Sequence, residues 1–275
     1  MKLIDVHAHL DHARFEKDLD EVVERFKKVG GKFIFSSGVN PATNRKALEI
    51  AEKYKIVKCS FGLYPIDALA KEIKNGEASG FLRNIEDFSV DEELDWIEKH
   101  ANDCVAIGEI GLDYNWKDFQ TEEMRKKQKK VFRKVLDLAK KIGKTVVIHS
   151  RKAELDAIEI LEDMKIKKVV MHSFNGKKSL IRRCVDNGWS FSVPPVIARL
   201  EHFKMLVEMV PLKQLLTETD APYLSPVAEE RNESANIVTT IKIIAEIKGL
   251  SKEEVAEQIW KNVGKLFPLP QPLTL

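Results

Sequence analysis

The sequence contains little cysteine and no long apolar run. Its three cysteines, Cys59, Cys104 and Cys184, lie far apart, without the paired spacing of a disulfide framework or a zinc clip. We therefore expect buried thiols in a protein of a reducing compartment. Apolar stretches such as residues 145–148 and 169–171 are far shorter than the roughly 20 residues that span a membrane, so we expect no transmembrane helix.

The chain has no strong excess of charge of one sign, and we expect no secretory leader. The 45 lysines and arginines nearly balance the 43 aspartates and glutamates, which leaves a net charge of +2. Such a chain has no global field that attracts a polyanion, so nucleic-acid binding would depend on a local patch. The N-terminus reaches strand-like sequence at Leu3 and carries Asp5, unlike a cleavable signal. The predicted location is the cytoplasm.

The chain does contain a regular alternation of short β-branched or aromatic runs with helical segments. Several runs are apolar throughout, which is typical of parallel strands covered on both faces. Eight strand–helix repeats within 275 residues match the usual size of an eight-fold barrel, about 250 residues. We predict an α/β fold, a single-domain (β/α)8 TIM-type barrel over residues 1–267, with residues 268–275 as an extended C-terminal tail. The predicted strands cover residues 3–7, 32–36, 56–61, 104–108, 145–149, 168–172, 189–193 and 213–217.

The clearest predicted helix covers residues 121–142. Its apolar residues recur at three- and four-residue spacing, and Gly143 follows where a C-terminal capping glycine belongs. The basic run 125–130 is predicted to face solvent rather than to form a DNA groove. Residues 67–89, after the third strand, are the least regular segment, and we expect them to form an insertion on the loop face of the barrel.

The strongest local signal is His7-Ala8-His9 at the end of the first predicted strand. Residues two apart on a strand point to the same face, so both imidazoles can converge in the barrel mouth. Asp5 lies one step lower on that face. A histidine pair alone is a weak indication, because many histidines are ordinary core or surface residues.

Four further candidates lie at the C-terminal ends of predicted strands, the edge where barrel enzymes hold their active sites. They are His149, His172, Glu109 and Asp220. A carboxylate in an apolar mouth is costly without a cation or hydrogen-bond donors. The whole set suits one or two divalent ions such as Zn, Mn, Fe, Ni or Mg. It predicts metal-assisted hydrolysis, in which the cation activates water and Asp220 accepts the proton.

Taken together, these strand-end motifs resemble the TatD-type deoxyribonucleases, a branch of the metal-dependent amidohydrolase superfamily. The resemblance extends in order over almost the whole chain, and the motifs are specific as a set. The matching segments are IDVHAHLD (4–11), GEIGLDY (108–114), IHSR (148–151), HSFNG (172–176), ETDAPYL (218–224) and RNE (231–233).

The resemblance implies a hydrolase that cleaves phosphodiesters with two divalent ions, Mg, Mn or Zn. Many members of the family are magnesium-dependent 3′-to-5′ exonucleases, so the implied substrate is DNA that is single-stranded or presents a 3′ end. Asp220 and Glu109 are then the catalytic carboxylates. By the same resemblance, one ion is held by His7, His9 and Asp220 and the other by His149 and His172, with Glu109 bridging them.

Residues around the ligands are also implicated. Arg151, beside His149, is a candidate phosphate clamp, with a salt bridge at a helix start as the alternative, and Asn175 is a second candidate phosphate contact. Glu218 shares the strand face of Asp220, and we expect it and Asp5 to support the ligands from behind. Aromatic side chains near the mouth could stack on bases, although aromatic residues more often pack in the core. These residues are Tyr114, Trp116, Phe174 and Tyr223.

The sequence departs from the family after the third strand. The family usually has a His-Pro pair within Gly-x-His-Pro, whereas this chain has Gly62-Leu63-Tyr64-Pro65. Tyr64 can donate a hydrogen bond to a phosphate, but it cannot be a cation at neutral pH. We therefore expect substrate preference or rate to differ here, while the ligand set is complete.

Two alternatives to a nuclease are open at this point. The first is a metal-dependent amidohydrolase, lactonase or phosphotriesterase that acts on a small molecule. Relatives of that kind commonly bridge their ions with a carboxylated lysine, whereas the fourth strand here ends in Glu109, which favours the nuclease. The second is a catalytically silent barrel that serves as a binding module. A scaffold has little physical reason to keep six costly polar groups in one mouth.

Overall fold

The computed structural model describes residues 1–72 and 86–269, in which eight β-strands and nine α-helices alternate along the chain. The strands are β1 (Leu3–Ala8), β2 (Gly31–Ser37), β3 (Val57–Leu63), β4 (Cys104–Asp113), β5 (Thr145–Arg151), β6 (Val169–His172), β7 (Ser190–Val193) and β8 (Leu215–Thr217). The helices are α1 (Leu19–Lys28), α2 (Pro41–Lys53), α3 (Val90–Lys99), α4 (Glu122–Lys141), α5 (Glu154–Asp163), α6 (Lys178–Asp186), α7 (Glu201–Met209), α8 (Ile237–Lys248) and α9 (Lys252–Leu266).

The strands form one parallel sheet in the order β1 to β8. Beyond β8 the chain returns to β1 and nearly closes the sheet. Ala221 bridges Ala8, the N–H of Asp220 donates to the carbonyl of His7 at 2.8 Å, and the N–H of His9 donates to the carbonyl of Ala221 at 2.8 Å. The predicted (β/α)8 barrel is confirmed, and its C-terminal rim collects the ends of all eight strands.

The strands are buried because helices cover their outer face and side chains fill the barrel. Every residue of β1 and of β4 is buried. β4 continues five residues beyond its predicted end at Gly108. Two glycines, one on β3 and one on β4, allow the backbone to pack closely around Glu109. A Cβ on Gly62 would overlap the backbone of Glu109, and one on Gly111, where φ is +147°, would overlap the carbonyl of His149. Close backbone packing therefore fixes the strand that carries Glu109.

Helix α4 shows both what the apolar pattern predicts and where it fails. Thr121 caps its N-terminus by accepting from the N–H of Met124, and Gly143 follows its end with φ of +70°, as predicted. The prediction that residues 125–130 face solvent is wrong at Gln128, which is buried. Its amide bonds both the N–H and the carbonyl of Asp113 at 2.8 Å, because a polar strand end needs partners there.

Parts of two other predictions lie outside the described residues. Residues 67–72 of the predicted insertion form 3-10 helical turns with a kink at Leu69. Residues 73–85 of that insertion and residues 270–275 of the predicted tail are not described. Among the described helices, none is both long and apolar enough to cross a membrane. The three cysteines are free and buried, and burial raises the pKa of the Cys59 and Cys184 thiols to about 12.

Candidate metal centre

The two imidazoles of β1 converge as their alternation on the strand predicts. The Nε2 atoms of His7 and His9 lie 3.3 Å apart. The Nδ1 of His9 lies 3.0 Å from the carbonyl oxygen of Ser37 on β2, and a carbonyl can only accept, so this nitrogen carries the hydrogen. The Nδ1 of His7 lies 3.1 Å from the Ser37 hydroxyl. Both rings therefore turn Nε2 toward the barrel axis.

Asp220 joins this pair from the segment after β8. Its φ is +54°, in the left-handed region where aspartate is several times more common than most residues. That backbone turn directs the carboxylate inward, where Oδ1 lies 3.5 Å from Nε2 of His7 and 3.3 Å from Nε2 of His9. Two nitrogens and one oxygen therefore face a common point.

Glu109, on β4, lies between two pairs of imidazoles. Its Oε2 lies 3.6 Å from Nε2 of His7 and 3.5 Å from Nε2 of His9. Its Oε1 lies 2.8 Å from Nδ1 of His149 and 3.8 Å from Nε2 of His172. The carboxylate thus presents one oxygen to each pair. Side chains that are far apart in the sequence therefore meet at one rim, as expected from their positions at strand ends.

Two fully buried carboxylates, Glu218 and Asp5, lie behind the candidate ligands. Glu218 accepts from Nδ1 of His172 at 2.7 Å and from the Ser192 hydroxyl at 2.5 Å, so the Nε2 of His172 is left for the centre. Asp5 instead accepts from the N–H of Thr219 at 2.9 Å and from the N–H of His7 at 3.3 Å. Glu218 therefore orients an imidazole, whereas Asp5 orients backbone.

Sequence reasoning assigned no role to two residues that contact the candidate ligands. Asp113 is buried, and its Oδ2 lies 3.0 Å from Nε2 of His149. The signal was available, because Asp113 lies four residues after Glu109 and even spacing on a strand places both on one face. Ser37 had no comparable signal. It lies one residue beyond the predicted end of its strand, and its contacts depend on how β2 pairs with β1.

The carboxylates of the centre remain charged in spite of their burial. Burial raises the pKa of Glu109, but hydrogen bonds from His149 and His7 outweigh it and hold the pKa well below its usual range. Burial likewise raises the pKa of Asp220, and the hydrogen bond from His9 turns the net shift downward. The same contact acts on its partner: burial lowers the pKa of His9, but Asp220 raises it to about 9.

The imidazoles of β5 and β6 show the corresponding shift. Burial lowers the pKa of His149, but the hydrogen bonds to Asp113 and Glu109 outweigh it and raise the pKa to about 9. Burial also lowers the pKa of His172, but the charge and hydrogen bond of Glu218 outweigh burial and raise the pKa to about 10. The carboxylates beside His9, His149 and His172 therefore outweigh burial, whereas burial and the neighbouring His172 lower the pKa of His7.

The predicted phosphate contacts occupy different environments. Arg151, at the end of β5, and Asn175, after β6, are exposed at the rim. Tyr64 is buried, with 7% of its surface exposed, and its hydroxyl donates to Oδ2 of Asp113 at 2.8 Å. Arg151 and Asn175 are thus open to a ligand, whereas Tyr64 lies beside His149, with ring centroids 4.8 Å apart.

The four aromatic residues also divide by burial. Tyr114 and Phe174 are buried and belong to the core, and Trp116 packs against a small cluster around Tyr64. Tyr223 is 45% exposed, and its ring centroid lies 6.2 Å from that of His9. Of the four, Tyr223 is therefore the one that offers an exposed ring beside the centre.

The donor set fits divalent cations. Imidazole nitrogens and carboxylate oxygens without thiolate suit Zn, Mn and related ions, and Mg where water completes the shell. Three overlapping groups place their ligand atoms within 4.8 Å of one another: His7, His172 and Asp220; His7, His9 and Glu109; and Glu109, His149 and His172. Within the described part of the chain, Glu109, His7 and His172 each belong to two of these groups, and the six predicted ligands are all included.

Known proteins are similar to this chain in sequence and in fold. The family model of the TatD related DNases matches residues 4–268. The human Deoxyribonuclease TATDN3 is 34% identical, over 97% of this chain and 94% of that protein. The 3'-5' ssDNA/RNA exonuclease TatD of Citrobacter koseri is 27% identical, over 96% of this chain and 98% of that protein. The crystal structure of YJJV, a TatD homologue from Escherichia coli, superimposes with a TM-score of 0.84 at 25% identity and covers 98% of both chains. The chain therefore belongs to the TatD-related DNase family of metal-dependent hydrolases.

Proposed function

We propose that this protein is a deoxyribonuclease that removes nucleotides from the 3′ ends of single-stranded DNA with two divalent cations. The observation that carries the proposal is the position of Glu109, whose two oxygens face two separate pairs of imidazoles. A single ion held by one pair would leave the other pair without a cation. Two ions that share a carboxylate match the demands of an in-line phosphoryl displacement, in which attacking and leaving oxygens both need stabilisation.

We assign the imidazoles to the two positions by the oxygen of Glu109 that each one faces, since the Nε2 of His172 lies at similar distances from Glu109 (3.8 Å) and Asp220 (3.9 Å). His7, His9 and Asp220 would hold one cation, because their inward atoms lie within 3.5 Å of one another. His149 and His172 would hold the other, and Glu109 would serve both. The native ion would be Mg, Mn or Zn, since all three accept nitrogen or oxygen donors.

The residues of the chain then have separate tasks. Cations bound here would acidify water and withdraw charge from the scissile phosphate. Asp220 would accept the proton of the attacking water. Its side chain is 15% exposed, against 6% for Glu109, so it is the more accessible of the two carboxylates. Glu109 would hold the cations in place.

Substrate contacts would come from the rim. Arg151 can bond a phosphate in bidentate fashion, and Asn175 can donate through its amide. Tyr223 would stack on the terminal base, and such stacking is worth about 1–3 kcal/mol per base. The free, buried cysteines support the predicted cytoplasmic location, since disulfides are rare there.

The test is a nuclease assay on defined DNA. Purified protein is stripped of metal, reloaded with Mg²⁺, Mn²⁺ or Zn²⁺, and incubated with 5′-labelled single-stranded DNA. We expect a ladder that shortens from the 3′ end, with turnover abolished by chelator and restored by metal. A matched oligonucleotide with a 3′-terminal phosphorothioate should resist. Absence of chelator-sensitive cleavage with every ion, or shortening from the 5′ end, would contradict the proposal.

The small-molecule alternative is not favoured. β4 carries Glu109 where hydrolases of that kind commonly carry a carboxylated lysine, and the two relatives described above bear nuclease names. A panel of lactones and dihydropyrimidines in the same metal-loaded preparation is the control. Efficient turnover of either, with DNA left intact, would reverse the ranking.

A further inference from the structure

Tyr64 follows β3, and its hydroxyl is directed at a side chain of the protein. The hydroxyl donates to Oδ2 of Asp113 at 2.8 Å, and the tyrosine is 7% exposed. Its ring packs edge-on against His149, with centroids 4.8 Å apart and planes at 66°. A phenol carries a single hydrogen to donate. In this geometry that hydrogen is used on Asp113.

Asp113 in turn determines which nitrogen of His149 faces the centre. Its Oδ2 lies 3.0 Å from Nε2 of His149, and its Oδ1 accepts from the N–H of Asn115 at 2.8 Å. An ionised carboxylate can only accept, so Nε2 must carry a hydrogen. The lone pair of a neutral His149 is then on Nδ1, which lies 2.8 Å from Oε1 of Glu109.

We propose that Tyr64 is a positioning residue: through Asp113, it holds His149 with Nδ1 directed at the second cation, and it is not a phosphate contact. The proposal rests on the proposed role of His149 as a metal ligand. Tyr64 and His149 share one oxygen of Asp113, so the hydroxyl fixes the carboxylate in place. As a neutral donor it leaves the charge of Asp113 available to the imidazole, and that charge makes the ligand more basic.

The decisive measurement is metal affinity, which requires no substrate. The metal-free protein is titrated with Co²⁺ and followed by visible absorption and calorimetry. His149→Asn identifies the binding phase that belongs to His149. We expect Tyr64→Phe to weaken that phase about tenfold and Asp113→Asn to weaken it further, since loss of a partner behind a ligand typically costs 10–100-fold. The phase that depends on His9 should be unchanged.

Tyr114 provides a matched control. It is also a buried tyrosine, 3% exposed, and its hydroxyl also donates to a carboxylate, Oδ2 of Asp156, at 2.8 Å. Tyr114→Phe therefore removes the same bond outside the metal centre. It should leave both Co²⁺ phases unchanged. Thermal unfolding of the metal-free variants shows whether each one folds.

Kinetics separate the positioning role from a phosphate contact. At saturating metal, Tyr64→Phe should regain a KM for DNA close to that of the parent protein, because its defect lies in metal retention. Co²⁺ affinity equal to that of Tyr114→Phe would overturn the proposal, and so would a raised KM that excess metal does not restore. If His149→Asn removed no binding phase, the proposed metal centre would fail together with this inference.

Discussion

The two halves of the candidate metal centre hold their imidazoles in different ways. In the half formed by β1 and β8, the Nδ1 of His9 is bonded to the backbone carbonyl of Ser37. In the half formed by β5 and β6, the Nδ1 of His172 is bonded to the carboxylate of Glu218. The first half is thus positioned by the pairing of two strands, and the second by buried charge.

This difference predicts different sensitivities. A carboxylate partner increases the basicity of an imidazole ligand, whereas a carbonyl mainly fixes its orientation. The half formed by β5 and β6 contributes fewer ligands of its own, so it depends more on those partners. Substitution of a side chain behind this half should release metal, whereas a similar substitution behind the other half should mainly cost stability.

The largest expected effect comes from a ligand itself. Asp220→Asn keeps the shape of the side chain but removes the charge and the proton acceptor. We expect kcat on single-stranded DNA to fall about 10³-fold, within the range for loss of a general base, with the circular dichroism spectrum unchanged. The control is Asp137→Asn, at an exposed position on α4. Turnover of the Asp220 variant within tenfold of the parent would exclude the residue as the proton acceptor.

A pair of substitutions tests the comparison directly. Glu218→Gln places an amide against Nδ1 of His172, and we expect Co²⁺ affinity to fall 10- to 100-fold. Asp5→Asn changes a carboxyl that bonds the N–H groups of His7 and Thr219 and whose pKa burial raises to about 7. This variant should lose about 1–3 kcal/mol of unfolding free energy, with Co²⁺ affinity within twofold. Equal losses of affinity in both variants would remove the distinction between the halves.

Substitution of Gly62, on the strand next to Glu109, should affect both halves of the centre together. A Cβ on Gly62 would overlap backbone atoms of Glu109, so Gly62→Ala must displace β4 or fail to pack. We expect about 1–3 kcal/mol of destabilisation and weaker binding in both Co²⁺ phases. Gly188→Ala is the control, because that glycine has positive φ but open space around it. If Gly62→Ala weakened only one phase, Glu109 would not serve both positions.

The smallest effect is expected far from the imidazoles. Arg231 pairs with Asp18 at 2.6 Å and ties the segment after β8 to the start of α1, yet both side chains are about one-third exposed. Arg231→Gln should lower the unfolding free energy by about 0.2–1 kcal/mol, measured by urea denaturation. Co²⁺ affinity should not change. A loss of affinity here would mean that the half formed by β1 and β8 also depends on distant charge.

The fold and the ligand candidates were predictable because both follow from local pattern. Apolar runs mark strands, and polar residues at strand ends such as Glu109 and His172 mark the rim where parallel strands finish. Strand limits were less predictable: β8 begins at Leu215, two residues later than predicted, because a 3-10 turn at Leu212–Gln214 precedes it. Propensity does not encode such a tertiary adjustment.

What the sequence could not give is the partner of each side chain. Tyr64 and Asp113 are 49 residues apart, and nothing local indicates that one bonds the other. Gln128 lies within a basic run, yet it turns inward because the end of β4 needs hydrogen-bond partners there. Contacts of this kind depend on how strands pair and where helices pack, which only the assembled barrel determines.

The position of Glu109 has a consequence for how the centre fills. A first cation would orient the carboxylate and withdraw part of its charge, so a second cation would meet a ligand that is better placed but less negative. By thermodynamic linkage, each ion must change the affinity of the other by the same factor. The two positions would then fill with coupled affinities rather than independently. If the better placement of the carboxylate has the larger influence, activity would rise more steeply with metal concentration than simple saturation. If its reduced charge has the larger influence, activity would rise less steeply.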